Sequence, residues 1–189
     1  SPLVYASEDV LIVAEPSFAG WWFWGNDDLD ESTNLHTFDI SNPGTTLYTG
    51  SGRVNGTVLD QFSLSEHEGV VRVATTTGQW GRWWMDDPEP MVSHVVTLER
   101  AADLETGEQI LRQIGHVGGL AEGERIWSAR FTEDMAYVVT FEQIDPLWTI
   151  DLSDPTNPTV LGELEVPGVS TYIHPMSDGM LLTIGLAPA

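Results

Sequence analysis

Residues 124–168 read ERIWSARFTEDMAYVVTFEQIDPLWTIDLSDPTNPTVLGELEVPG, and their punctuation decides the fold. Four short apolar runs lie in this stretch: Ile126–Phe131, Ala136–Phe141, Leu147–Leu152 and Val160–Val166. They are rich in β-branched and aromatic residues and partly alternate with polar ones. Glu-Asp, Asp-Pro, an Asp-Pro-Thr-Asn-Pro cluster and Pro-Gly interrupt them. Short runs with such breakers predict four antiparallel strands joined by tight turns. A four-stranded meander of this length is the unit, or blade, of a β-propeller.

Working outward, the same unit recurs. Leu3–Tyr5 and Val10–Ala14 flank Ser-Glu-Asp as Phe131 and Met135–Val139 flank Thr-Glu-Asp. Further copies of this hairpin run from Phe62 through Gly69 to Thr75 and from Thr171 through Gly179 to Ile184. The third strand recurs as Leu35-His-Thr-Phe-Asp-Ile-Ser41 and Leu147-Trp-Thr-Ile-Asp-Leu-Ser153, with Val95–Arg100 as a weaker copy. Fourth strands follow at Thr46–Val54, Gln109–Val117 and Thr159–Val166. The chain is therefore expected to be all-β: repeat units at about 1–56, 57–119 and 120–168, then a final hairpin at 169–186, within one partial propeller domain. About three and a half blades fall short of the 4–8 of a closed ring. The remaining blades are expected from a longer chain or from another chain, and a homodimer of about seven blades satisfies the arithmetic. An unclosed ring leaves edge strands that need cover.

Composition narrows the function classes. Acids outnumber bases 29 to 7, all seven bases are Arg, and the net charge is −22. Such a surface repels nucleic acid and anionic membranes and suits cations or simple solvation. With no Cys, disulfides, thiol catalysis and Cys-ligated metals are excluded. No apolar run reaches the length of a membrane span, so no membrane insertion is expected. No signal peptide is evident, and the opening Ser-Pro is read as the start of a processed or excised piece.

Several motifs occur in one order with characteristic spacing: Ser32-Thr-Asn-Leu-His-Thr-Phe-Asp39, Val73-Ala-Thr-Thr-Thr-Gly78, Gly123-Glu-Arg-Ile126, Asp145-Pro-Leu147, Asp151-Leu-Ser-Asp-Pro155 and Ser170-Thr-Tyr-Ile-His-Pro175. Over most of residues 33–186 the chain resembles the secreted bacterial and archaeal proteins with a C-terminal β-propeller distantly related to WD repeats. The resemblance implies a propeller and an exported protein, outside the cell or on its surface. It implies no enzymatic activity and no catalytic residue.

Chemistry is expected on two insertions. Ser17–Ser32 reads SFAGWWFWGNDDLDES and Gln79–Pro90 reads QWGRWWMDDPEP, each between the second and third strands of its unit and each aromatic first, acidic second. Trp21, Trp22, Trp24, Trp80, Trp83 and Trp84 account for six of the eight Trp. Rigid indoles beside carboxylates predict a binding face for a protein or carbohydrate, with Asp86 and Asp87 as polar partners. The alternative role for the indoles is to cover the blades' own core. Asp27, Asp28 and Asp30 offer hard oxygen ligands to Ca²⁺, without the spacing of an EF-hand loop. Asp151, Asp154 and Asn157 are assigned to turn chemistry. His36, His67, His94, His116 and His174 show neither HxH nor HExxH spacing, and His36 and His94 are expected to be packing residues. No nucleophile elbow is present. The sequence thus predicts a binding or scaffolding module. A polysaccharide hydrolase using acids such as Asp27 and Asp86, and a piece that only completes a ring, are the alternatives.

Overall fold

The computed structural model describes residues 1–19, 30–79, 90–141, 145–166 and 168–186. Fourteen strands fill them in the expected meanders. The first blade comprises β1 (Leu3–Ala6), β2 (Val10–Ala19), β3 (Asp30–Asp39) and β4 (Leu47–Asn55). The second comprises β5 (Leu64–His67), β6 (Val70–Thr77), β7 (Val92–Ala102) and β8 (Gln109–Leu120). The third comprises β9 (Arg125–Phe131), β10 (Met135–Phe141), β11 (Asp145–Asp151) and β12 (Thr159–Val166). A lone hairpin of β13 (Val169–Pro175) and β14 (Leu181–Leu186) follows. Neighbouring strands within each group pair antiparallel.

The repeats extend to individual bonds. Ser7 N–H donates to the Val10 carbonyl at 2.9 Å, and Thr132 N–H to that of Met135 at 2.8 Å. The residue after the third strand returns to the same hairpin: Ile40 N–H to Asp9 O (2.9 Å) and Leu152 N–H to Asp134 O (2.8 Å). The second blade turns differently. Glu68 and Gly69 both have positive φ, 50° and 84°, as a type I′ hairpin requires. The Glu66 carboxylate accepts from Gly69 N–H at 2.7 Å.

Carboxylates also hold the outer turns. Asp39 accepts from the hydroxyl and amide of Ser41, Asp103 from the amides of Glu105 and Thr106 and the Thr106 hydroxyl, Asp151 from the Ser153 amide, and Asp154 from the hydroxyl and amide of Thr156. Residues 101–107 are the end of β7 and one of these Asx turns. Donors aimed at the ionised form hold each carboxyl below its ordinary value. The leading donor is the Ser41 hydroxyl for Asp39, the Thr106 amide for Asp103, the Ser153 amide for Asp151 and the Thr156 hydroxyl for Asp154. Because these pKa values are depressed on folding, the turns contribute fully above the unfolded value of about 3.9 and lose that contribution as pH falls through the lower folded values. Carbon-detected NMR titration should show these four carboxyls ionising below that value, with the Ser41, Thr106, Ser153 and Thr156 amide shifts moving alongside. Amide shifts constant down to pH 2 would contradict the assignment.

Three apolar layers lie between successive groups. Ile12, Leu35 and Val54 of the first blade meet Val71, Val73 and Leu98 of the second. Ala74 and Val95 meet Ile126, Val138 and Ile150 of the third. Val139 and Leu147 meet Ile173 of the hairpin. Burying one such side chain fully contributes roughly 1.5–3 kcal/mol.

Polar latches join the same neighbours. Buried Arg72 of β6 donates from Nη1 to the carbonyls of Thr132 and Glu133, both at 2.7 Å, and from Nη2 to Ser65 Oγ at 2.7 Å. Its guanidinium also lies 5.4 Å from the centre of the Phe131 ring. Thr97 Oγ1 donates to Pro155 O at 2.5 Å, Ser128 Oγ to Ser170 O at 2.7 Å, and Ile126 N–H to Thr76 Oγ1 at 3.1 Å. The outer strands β4 and β8 meet in one parallel pairing, Ser51 with Ile110. A Cβ at Gly52 would stand 2.6 Å from the Leu111 carbonyl oxygen, so glycine permits that approach.

Candidate functional site

The second and third strands set the position of both insertions. β2 and β3 stay paired for ten residues, from Val10–Asp39 to Ala19–Asp30, so the two ends of the expected insertion, Ser17–Ala19 and Asp30–Ser32, are strand, and residues 20–29 connect them. β6 and β7 pair from Val70–Glu99 to Thr77–Val92, and the second insertion joins them at the corresponding end. Gln79 N–H donates to Glu31 Oε2 at 3.3 Å, so the base of the second insertion meets the base of the first. Around this bond Gly56 N–H donates to Glu31 O (2.7 Å), Thr33 Oγ1 to Gly56 O (2.9 Å) and Arg53 Nε to Ser32 Oγ (2.7 Å). Thr57 and Thr76 form an isolated bridge between the two blades.

Asp30 begins β3, its backbone paired with Ala19. Trp21, Trp22, Trp24, Asp27 and Asp28, and Trp80, Trp83, Trp84, Asp86 and Asp87, lie outside the described residues. Asp151 and Asp154 serve the turns assigned to them. Among the described residues no group of three or more His, Cys, Asp or Glu side chains converges as a metal site.

A histidine couple stands close to the second insertion. His94 Nδ1 and His116 Nε2 are 3.1 Å apart, and Thr77 Oγ1 lies 3.0 Å from His94 Nε2. Thr77 Oγ1 in turn donates to Val92 O at 3.3 Å. That order makes the hydroxyl oxygen the acceptor for His94 Nε2–H and leaves the His94 Nδ1 lone pair facing His116. Burial, and then the adjacent imidazole, hold His94 below the ordinary histidine value. The couple lies at the β7–β8 irregularity, where Ser93 pairs with Leu120 and Val95 with Val117. A Cβ at Gly118 would stand 2.5 Å from His94 Nδ1, so a side chain there would break the couple. His94 is thus more than a packing residue. Twenty-two residues separate it from His116, and β8 runs on through Gly118 and Gly119 to Leu120.

A concavity opens near the β1–β2 and β9–β10 turns. It has a volume of about 330 Å³ and is lined by residues of all three blades, including Tyr5, Phe62, Ser65, Arg130 and Phe131. Asp60 shapes one wall by accepting from the amides of Phe62 and Ser63 and so capping the short 3-10 turn Gln61–Ser63. Arg130 lies 4.7 Å from the centre of the Phe62 ring and 6.0 Å from that of Tyr172. Those two rings meet edge-on at 5.6 Å. No sequence motif announced this cleft, because its residues come from three separate hairpins.

The family model described as a β-propeller domain matches residues 1–188. An uncharacterized protein of Methanocaldococcus jannaschii is 40% identical over 152 residues, which are 80% of this chain and 21% of that protein. An uncharacterized protein of Archaeoglobus fulgidus is 35% identical over 136 residues, 72% of this chain and 19% of that protein. The chain spans about a fifth of the length of the curated relatives it matches.

Proposed function

Because the chain belongs to the β-propeller domain family, we propose that it acts as an extracellular or cell-surface binding module whose ligand, a carbohydrate or a protein, docks on the aromatic and acidic insertions of the first two blades. The Gln79–Glu31 bond carries this reading, since it brings the bases of two insertions of like composition together. Trp21, Trp22, Trp24, Trp80, Trp83 and Trp84 supply rigid apolar area, and Asp86 and Asp87 accept hydrogen bonds from hydroxyls or cations. Asp27, Asp28 and Asp30 are the proposed Ca²⁺ ligands on the same face.

Calorimetric titration against soluble neutral polysaccharides and an Arg-rich peptide, with and without a calcium chelator, tests the proposal. Trp22→Ala and Trp83→Ala should each weaken the responding ligand at least tenfold, about 1.4 kcal/mol, without altering the far-ultraviolet spectrum. Affinity unchanged in both variants would sink it. Turnover of a polysaccharide, abolished in Asp27→Asn or Asp86→Asn, would replace binding with hydrolysis.

A scaffolding role has separate support. Leu161 and Leu164 of β12 are 60% and 61% exposed, and Ile184 and Leu186 of β14 are 59% and 67% exposed. Apolar side chains on an open propeller flank favour further blades, from the same chain or from a second copy, as their cover. Light scattering distinguishes these: a dimer mass supports two chains closing one ring, and a monomer supports blades from the same chain.

A further inference from the structure

We propose that the inner cleft between the three blades is a carboxylate-binding site, with Arg130 as the residue that grips the carboxylate. The cleft lies towards the β1–β2 and β9–β10 turns, at the opposite strand ends from the two insertions, and is independent of them. Three observations converge on it.

The first is the state of the cation. Among the described residues no carboxylate or carbonyl partners the Arg130 guanidinium, although the chain has 29 acids to 7 bases. Arg112 pairs with Glu99, and Arg72 spends Nη1 on Thr132 and Glu133 and Nη2 on Ser65. Arg130 spends none of them on the described residues.

The second is how it is held. Phe62 and Tyr172 stand against the guanidinium, and such ring contact restrains it without consuming its N–H donors. A guanidinium edge presents two parallel donors that match the two oxygens of a carboxylate.

The third is the shape. A concavity of about 330 Å³ falls at the small end of ligand pockets, and its lining is more polar than apolar, as suits a charged ligand. Phe62 and Phe131 supply the apolar walls, and Gln61 and Tyr5 supply side-chain donors beside Arg130. The volume suits a small mono- or dicarboxylate or the carboxyl terminus of a peptide.

The test uses the full chain and three probes in calorimetry at low ionic strength: succinate, a short neutral peptide with a free C-terminus, and its C-terminal amide. Succinate binding supports a small-molecule site, and binding of the free-acid peptide but not the amide supports a peptide terminus. In either case Arg130→Gln should weaken binding at least tenfold. Arg130→Lys, which keeps the charge but loses the two-donor edge, should weaken it several-fold. Phe62→Leu should weaken it with no change of charge, and Arg112→Gln should leave it unchanged. Circular dichroism of each variant checks that the fold is kept. Silence with all three probes at millimolar concentration would overturn the assignment, as would binding that survives Arg130→Gln or falls equally in Arg112→Gln.

Discussion

Arg72→Met will lower the unfolding free energy by about 2–4 kcal/mol, the largest effect expected of any single side chain here. The residue is 5% exposed, yet it carries a charge whose desolvation disfavours the ionised form. Folding tolerates that cost because the guanidinium donates to two carbonyls of the β9–β10 turn and to Ser65 Oγ, all at 2.7 Å. Methionine retains most of the stem volume and the contact with Phe131 but none of the donors. The carbonyls of Thr132 and Glu133 then lose their charged partner, and the second blade loses its hold on the third. Urea unfolding followed by tryptophan fluorescence checks the magnitude. Hydrogen exchange should show residues 132–134 losing protection first. A midpoint within error of the parent chain would mean that the latch is decorative.

Gly115→Ala will cost about 1–3 kcal/mol by overpacking. An added Cβ would overlap the Pro155 carbonyl oxygen and stand 2.6 Å from Thr97 Oγ1 and 2.7 Å from Pro158 Cδ. Two of these three atoms belong to a proline-bounded turn that cannot easily give way. The 154–158 turn must therefore move off β7 and β8, taking with it the Thr97–Pro155 hydrogen bond. Loss of protection confined to that turn and to Thr97, with a lower unfolding midpoint, is the expected result. An alanine variant that unfolds at the parent midpoint would show that the turn is free to shift.

The blades were legible because the hairpins of the first and third repeat a local code. Ser-Glu-Asp at 7–9 and Thr-Glu-Asp at 132–134 make the same backbone bonds, and the acids after the third strands all form Asx turns. Those bonds depend on residues within a few positions of one another, which a sequence displays directly. Arg72 was not legible: in Val70–Thr77 it looks like one polar residue of an alternating strand, and only the carbonyls of a turn sixty residues away explain its burial. The His94–His116 couple was hidden by the shift in register between β7 and β8. The inner cleft was hidden because Tyr5, Phe62 and Arg130 belong to three different blades.

The latches share one property. Arg72 addresses the carbonyls of Thr132 and Glu133, Thr97 that of Pro155, Ser128 that of Ser170, and Thr76 the amide of Ile126. In each case a side chain of one unit grips the main chain of the next, whose own side chains take no part in that bond. A neighbouring unit can therefore exchange the side chains at those positions and still be recognised, provided its backbone follows the same path. Such a joint tolerates duplication and divergence of whole units, because compatibility is carried by a shape that every copy inherits.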